Sequence, residues 1–183
     1  PVHLVGYSMG GAVIAHFADS YGKKVKSVSL IAPAGTMIKE PEINFWAVQP
    51  LIGEWFWHVL GGFYVEDQVY EVTDPRGLLP LEYMELLSEQ SKYKGFIESL
   101  LSTVRNFDMF NTEDEYRSLN LLNVPVLAVW GTDDQVTPFS GSDRLLEVIP
   151  STNLKIIEGG GHNITFVQPT KIGKMIVSFL EEK

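Results

Sequence analysis

The chain has 183 residues, of which 45% are hydrophobic and 20% charged, with a formal net charge of −9 and no cysteine. This length and composition are typical of a globular domain with a substantial core. The acidic charge argues against a nucleic-acid partner, because nucleic-acid binders normally present a basic face. No apolar run approaches the roughly 20 residues of a transmembrane segment. The lack of cysteine excludes disulfides, thiolate zinc sites and thiol nucleophiles, but it does not identify a compartment.

Strands and helices are predicted to alternate along most of the chain. The first strand, Val2–Gly6, is apolar and precedes a helix with an apolar stripe, Gly10–Tyr21. Apolar runs predict three later strands, Val25–Ala32, Val124–Trp130 and Leu154–Glu158. A helix is predicted at Gly141–Val148, and another begins at Pro169, a favourable first helical position that is followed by apolar residues at helical spacing. Short apolar strands separated by helices indicate an α/β protein with a parallel sheet covered on both faces.

One long segment interrupts this alternation. From about Thr36 to Ser118 no clear buried strand is visible, and a long helical stretch is predicted from Pro80 to about Val104. We therefore predict a core made of residues 1–36 and 119–183, with residues 37–118 as a helical insertion between two core strands.

The sequence Gly6-Tyr7-Ser8-Met9-Gly10 has the form G-x-S-x-G and lies between a predicted strand and a predicted helix. In this setting the serine sits on a sharp turn that lifts its hydroxyl above the sheet edge, and glycines two residues away on either side leave room for the turn. Ser8 is therefore a candidate nucleophile, and the Met9 backbone N–H is a candidate oxyanion donor.

A serine hydroxyl needs a base to remove its proton, and four histidines are available: His3, His16, His58 and His162. His3 lies within the first strand, His16 in the middle of a helix, and His58 in the aromatic part of the insertion. His162 follows the last predicted strand, and loops at the carboxyl ends of parallel strands are where open α/β sheets bind ligands. His162 is therefore the preferred base.

The base in turn needs a carboxylate that fixes its tautomer. Asp133 and Asp134 both follow the strand that ends at Trp130, and spacing alone does not choose between them. Either side chain could instead cap the turn. The chain order Ser, Asp, His is that of the α/β-hydrolase triad, unlike the orders in chymotrypsin and subtilisin.

Four segments resemble parts of the α/β-hydrolase superfamily. VHLVGYSMGG resembles its nucleophile strand and elbow, and GGGHNITFVQP resembles its histidine loop, although Val167 replaces a glutamate that many members carry there. VPVLAVWGTDDQVTP resembles the acid loop, whose pattern Gly-x-x-Asp-x-x-x-Pro is matched by Gly131, Asp134 and Pro138. This resemblance assigns the acid to Asp134 and not to Asp133. YKGFIESLLSTVRNF also resembles a helix of the cap domain of esterase-like and carbon–carbon hydrolase-like members.

The resemblance implies a serine hydrolase that cleaves a small-molecule carboxylic ester through an acyl-enzyme. The insertion would be a cap whose aromatic side chains suit an apolar acyl or aromatic group, with Tyr7, Trp46 and Trp57 as candidate substrate-binding residues. Carbon–carbon bond hydrolysis is the rival enzyme reaction, since it uses the same triad, and a non-catalytic binding or interaction protein is the alternative of another class. No metal or organic cofactor is implied, since no ligand cluster, P-loop or dinucleotide fingerprint is present.

The position of the elbow strand in the chain leads to a further expectation. In the superfamily pattern this strand is the fifth of eight, whereas here it begins at Val2. We therefore expect an incomplete hydrolase: the second oxyanion donor would be missing, and the unpaired edge of the first strand would be covered by an N-terminal half or by a homo-oligomer.

Overall fold

A computed structural model of the protein describes residues 1–36, 48–59, 76–79 and 81–182. The chain divides into two compact units. The first comprises Pro1–Glu40 with Met109–Lys183, and the second comprises Pro41–Asp108.

The first unit is built on a four-stranded parallel sheet with the strand order β1-β2-β3-β4. The strands are β1 (Val2–Tyr7), β2 (Val25–Ile31), β3 (Val126–Gly131) and β4 (Asn153–Ile157). This confirms the predicted α/β class and parallel sheet, and the predicted strand ends differ from the observed ones by one or two residues. All four strands run in the same direction, so the loops that follow them meet at one edge of the sheet.

Helices of the described residues fall in both units. In chain order they are α1 (Met9–Tyr21), α2 (residues 52–59), α3 (Leu81–Ser91), α4 (Phe96–Asn106), α5 (Glu113–Leu121), α6 (Gly141–Val148), α7 (Ile164–Val167) and α8 (Pro169–Glu181). No helix in the described part of the chain is long and apolar enough to cross a bilayer.

Both faces of the sheet carry a hydrophobic cluster, because successive strand residues point to opposite faces. One cluster joins the sheet to α1, α5 and α6 and includes Ile14, Leu30, Tyr116, Leu119, Ala128, Trp130 and Leu145. The other joins β2, β3 and β4 to α8 and includes Ile31, Leu127, Val129, Ile157, Ile172 and Phe179. Each fully buried aliphatic side chain contributes about 1.5–3 kcal/mol to folding, so these clusters fix the strand ends that carry the site.

Helix α5 belongs to the core unit, which makes the second unit shorter than the insertion predicted at residues 37–118. Tyr116 and Leu119 on this helix are fully buried in the cluster with α1. The Tyr116 hydroxyl donates a hydrogen bond of 2.8 Å to the Ala34 carbonyl oxygen. The sequence prediction extended the insertion up to the next apolar strand. Helix α5 lies before that strand and has no strand signal of its own, so the sequence did not assign it to the core.

The helical stretch predicted from Pro80 to about Val104 contains two separate helices in the structure. Helix α3 ends at Ser91 and α4 begins at Phe96, after Gly95 with a φ of 91°. Within this second unit Arg105 of α4 donates to the carbonyl oxygens of Val48 and Gln49 and bonds to both carboxylate oxygens of Glu54. The hydrogen bonds from Arg105 lower the pKa of Glu54 to about 2. The Glu54 carboxylate is therefore charged at neutral pH and forms an ion pair with Arg105.

Among the strands that the structure describes, β1 lies at one edge of the sheet, with β2 as its neighbour. Val2 and Val5 are half exposed, at 50% and 52%. The expectation that an N-terminal half or another copy covers this edge stays a prediction.

Candidate active site

Ser8 stands on a strained turn between β1 and α1. Its φ of 53° and ψ of −123° are unusual for a residue with a side chain. A methyl group at Gly6 would lie 2.6 Å from the Gly10 carbonyl oxygen, and this steric clash excludes any residue other than glycine. At Gly10 a methyl group would meet no described atom within 4 Å outside its chain neighbours and the nearby backbone of α1. The predicted steric reason for glycine at this position therefore finds no support in the contacts.

His162 lies between Ser8 and Asp134 in the structure. Its Nε2 is 2.9 Å from Ser8 Oγ, and its Nδ1 is 2.9 Å from Asp134 Oδ2. Since a carboxylate only accepts, the partners fix the tautomer: Nδ1–H donates to Asp134, and Nε2 accepts from the Ser8 hydroxyl. His162 and Asp134 are 5% and 3% exposed, so this pairing is shielded from water.

The two adjacent aspartates occupy different surroundings. Asp134 Oδ1 accepts from the backbone N–H groups of Val136 and Thr137 at 2.9 and 2.8 Å. These bonds hold the carboxylate with its other oxygen toward His162. The Asp133 side chain is exposed, and its Oδ1 accepts from the Thr132 hydroxyl. Contact with His162 is therefore made by Asp134.

The other three histidines make contacts elsewhere. His3 Nδ1 is 2.6 Å from Ser27 Oγ on the neighbouring strand. His16 lies 3.5 Å from Glu115, and His58 lies 3.8 Å from Glu98 within the second unit. Of the four, only His162 is bonded to Ser8 among the described contacts.

Close backbone packing brings the acid loop to the histidine loop. Asp133 N–H donates to the Gly160 carbonyl oxygen at 2.9 Å, and Gly159 N–H donates to Thr132 Oγ1 at 2.9 Å. The contact leaves no room for a side chain at Gly131, where a methyl group would lie 2.2 Å from the Gly160 carbonyl oxygen. Gly131 is thus required for the approach of the two loops.

We expect Gly131→Ala to destabilise the protein by about 1–3 kcal/mol, which is the usual cost of overpacking, because the obstructing atoms are backbone. Urea unfolding of the full-length protein measures this loss. Gly173→Ala is the matched control, since a methyl group there meets nothing within 4 Å among the described residues. Equal stability of the two variants would contradict the conclusion that the close packing of the two loops requires glycine at position 131.

Tyr7 supports the histidine loop in this structure. Its hydroxyl donates a 2.9 Å hydrogen bond to the His162 carbonyl oxygen, and its ring lies 5.0 Å from the His162 ring and edge-on to Phe166. Burial, together with the nearby Asp134 carboxylate, raises the pKa of Tyr7 well above its ordinary value. The hydroxyl therefore keeps its proton and remains a donor to the His162 carbonyl oxygen. The predicted contact of Tyr7 with substrate stays a prediction.

The remaining predicted residues are only partly described. Met9 is the first residue of α1, where backbone N–H groups have no acceptor within the helix. Trp57 is buried in α2 and lies edge-on to Phe56 at 6.1 Å, whereas Trp46 lies outside the described residues. A substrate contact by either tryptophan stays a prediction. No cluster of three metal-ligand side chains occurs in the described ranges.

Sequence and structure comparisons agree with this architecture. The family model of the alpha/beta hydrolase fold matches residues 1–169. The chain therefore belongs to the alpha/beta hydrolase fold family.

Among similar proteins is the monoacylglycerol lipase ABHD6 of Mus musculus, with 28% identity over 98% of this chain and 55% of the relative. Another is 2-hydroxy-6-oxononadienedioate/2-hydroxy-6-oxononatrienedioate hydrolase 2 of Pseudomonas putida, with 26% identity over 98% of this chain and 63% of the relative. The chain thus spans between 55% and 63% of the length of these two curated relatives. A solved meta-cleavage product hydrolase (CumD) of Pseudomonas fluorescens IP01 has a TM-score of 0.74 and 25% identity, covering 99% of this chain and 65% of that one.

Proposed function

We propose that this chain carries the catalytic triad of a serine hydrolase that cleaves carboxylic esters of apolar acyl or aromatic groups. The observation that supports this proposal is the continuous hydrogen-bonded line from Ser8 through His162 to Asp134, with 2.9 Å at each step. The similarity to a monoacylglycerol lipase supports an ester of a lipid-like acid as the substrate class.

In the proposed acylation, His162 Nε2 takes the Ser8 proton as Ser8 Oγ attacks the ester carbonyl carbon. Asp134 stabilises the imidazolium that forms. The carbonyl oxygen becomes an oxyanion, which we propose accepts a hydrogen bond from the Met9 N–H at the N-terminus of α1. The imidazolium then protonates the leaving alcohol, the carbon–oxygen bond of the ester breaks, and the acyl group remains on Ser8.

In the proposed deacylation, His162 Nε2 takes a proton from a water molecule, and the oxygen of that water attacks the acyl carbonyl carbon. The second oxyanion collapses, the bond to Ser8 Oγ breaks, and His162 returns the proton to Ser8. The carboxylic acid leaves, and the triad is restored. The strain at Ser8 serves both steps, because the turn holds Oγ at hydrogen-bond distance from the base.

Carbon–carbon bond hydrolysis is the second candidate, because the sequence also resembles carbon–carbon hydrolase-like members. The similar proteins that are named a 2-hydroxy-6-oxononadienedioate hydrolase and a meta-cleavage product hydrolase support keeping this candidate. Both reactions use the same three side chains, so the triad does not separate them. A non-catalytic role has less support, since it does not require Ser8, His162 and Asp134 to be in contact.

The test is to label the full-length protein with a fluorophosphonate and then to assay p-nitrophenyl esters of rising chain length beside a vinylogous diketone. Labelling at Ser8 with turnover of the esters is the expected result. Faster turnover of the diketone than of every ester would favour carbon–carbon hydrolysis. No labelling and no turnover would favour the non-catalytic role.

A further prediction concerns Trp57. If this side chain contacts the acyl group, Trp57→Ala lowers the rate on a long-chain ester relative to an acetyl ester by roughly tenfold, the scale on which an apolar pocket discriminates. The measurement is the ratio of the two kcat/KM values. Trp55→Ala on the same helix is the control, because Trp55 is 62% exposed. Equal losses on both esters would instead indicate that Trp57 holds the second unit together.

A further inference from the structure

Thr137 occupies the centre of the acid loop, although the sequence pattern leaves its position unspecified. The residue precedes Pro138 between β3 and α6 and is 3% exposed. Its N–H donates to Asp134 Oδ1, and its carbonyl oxygen accepts from the Trp130 indole N–H at 2.8 Å. The backbone on both sides of the side chain is therefore fixed.

The Thr137 hydroxyl faces three polar groups of the site. It lies 3.0 Å from Asp134 Oδ2, 3.0 Å from the Ala32 carbonyl oxygen, and 3.3 Å from His162 Nδ1. A hydroxyl has a single proton to donate, and a carboxylate is a stronger acceptor than a neutral carbonyl. When the hydroxyl donates to Asp134, the buried carboxylate accepts four hydrogen bonds, two on each oxygen.

The Ala32 carbonyl oxygen, which the Thr137 hydroxyl contacts, belongs to the turn that holds the Ser8 backbone. Ala32 follows β2 with a φ of 44° and begins a turn toward Ala34. The Ala34 N–H donates to the Ser8 carbonyl oxygen at 2.9 Å, and the Ser8 N–H donates to the Ile31 carbonyl oxygen at 3.0 Å. The Thr137 side chain therefore touches the acid directly and touches the turn that holds the Ser8 backbone.

We propose that Thr137 is a positioning residue that orients the Asp134 carboxylate toward His162 by donating its hydroxyl proton to Oδ2. The proposal rests on the function proposed above. Without this bond, the oxygen that pairs with His162 would lose one of its two donors inside a dry site, where a missing partner is costly. The carboxylate would then turn about the two backbone bonds on Oδ1, and the His162 ring would lose its fixed orientation.

The test compares Thr137→Val with Thr137→Ser in the full-length protein. Valine keeps the shape and removes the hydroxyl, whereas serine keeps the hydroxyl and removes a methyl group. We expect valine to lower kcat by about 10- to 100-fold with little change in KM, the scale of one hydrogen bond to a charged group. Serine should restore kcat to within about threefold of wild type.

A second readout does not need turnover. The His162 Nδ1–H proton, held between Nδ1 and Asp134 Oδ2, should give a sharp downfield NMR signal in wild type and in the serine variant, and this signal should shift or broaden with valine. If the valine variant does not fold, Thr137→Ala takes its place in both measurements.

Three results would overturn the proposal. The first is wild-type kcat and an unchanged Nδ1–H signal in the valine variant. The second is an equal loss with valine and serine, which would assign the effect to packing. The third is a rise in KM with unchanged kcat. If wild type turns over no substrate, the proposed function fails, and the NMR comparison still decides the role of Thr137.

Discussion

Ser8→Ala is expected to lower the turnover of an ester by a factor on the order of 10⁶, the scale measured when a triad nucleophile is removed. The reason is that alanine leaves His162 with no proton to abstract and no oxygen to form the acyl-enzyme. The only side-chain hydrogen bond described for Ser8 is the one to His162 Nε2. The fold should therefore persist, with an unchanged circular dichroism spectrum and melting temperature.

The measurement is steady-state turnover of a p-nitrophenyl ester by the full-length protein, with fluorophosphonate labelling in parallel. Ser140→Ala is the matched control, because Ser140 is an exposed serine that makes no side-chain cap bond to α6. If the Ser8 variant kept more than a few per cent of the wild-type activity, a serine acyl-enzyme would be untenable. Labelling that persisted in this variant would point to another nucleophile.

Asp134→Asn is expected to have the second largest effect, a loss of about 10⁴-fold in kcat, as for the same change in a serine protease triad. The asparagine oxygen can still accept from the N–H groups of Val136 and Thr137, which now bond to Oδ1. The amide NH₂ then faces His162 Nδ1 and donates to it. This favours the tautomer with the proton on Nε2, which no longer accepts the Ser8 proton.

Asp133→Asn is the control for this prediction, because it makes the same change one residue away. The Asp133 side chain is exposed, and its replacement should leave kcat within about twofold of wild type. A larger loss in the Asp133 variant than in the Asp134 variant would mean that the acid has been assigned to the wrong residue. Melting temperatures of the two variants separate catalytic loss from unfolding.

Much of the core was predictable because its signals are local. Short apolar runs indicated the four strands, the G-x-S-x-G sequence indicated the turn at Ser8, and Pro169 marked the start of α8. The second unit was harder to predict. Gly95, with its φ of 91°, divides the helical stretch there into two helices, and α5 looks from sequence like part of the insertion. Only the packing of Tyr116 and Leu119 against α1 assigns that helix to the core unit.

At the site, the sequence by itself determined which residue types are present and in what order: a serine after the first strand, adjacent aspartates after the third and a histidine after the fourth. Parallel strands then dictate that these loops share one edge of the sheet. Contacts between loops were decided only by the tertiary structure, because they depend on distances between residues far apart in the chain. The contacts of the Thr137 hydroxyl with Asp134 and Ala32, and the hydrogen bond of Tyr7 to the His162 carbonyl oxygen, are of this kind. Neither a threonine in a loop nor a tyrosine at a strand end gives a sequence signal of its partner, since the same hydroxyl can also bond to water.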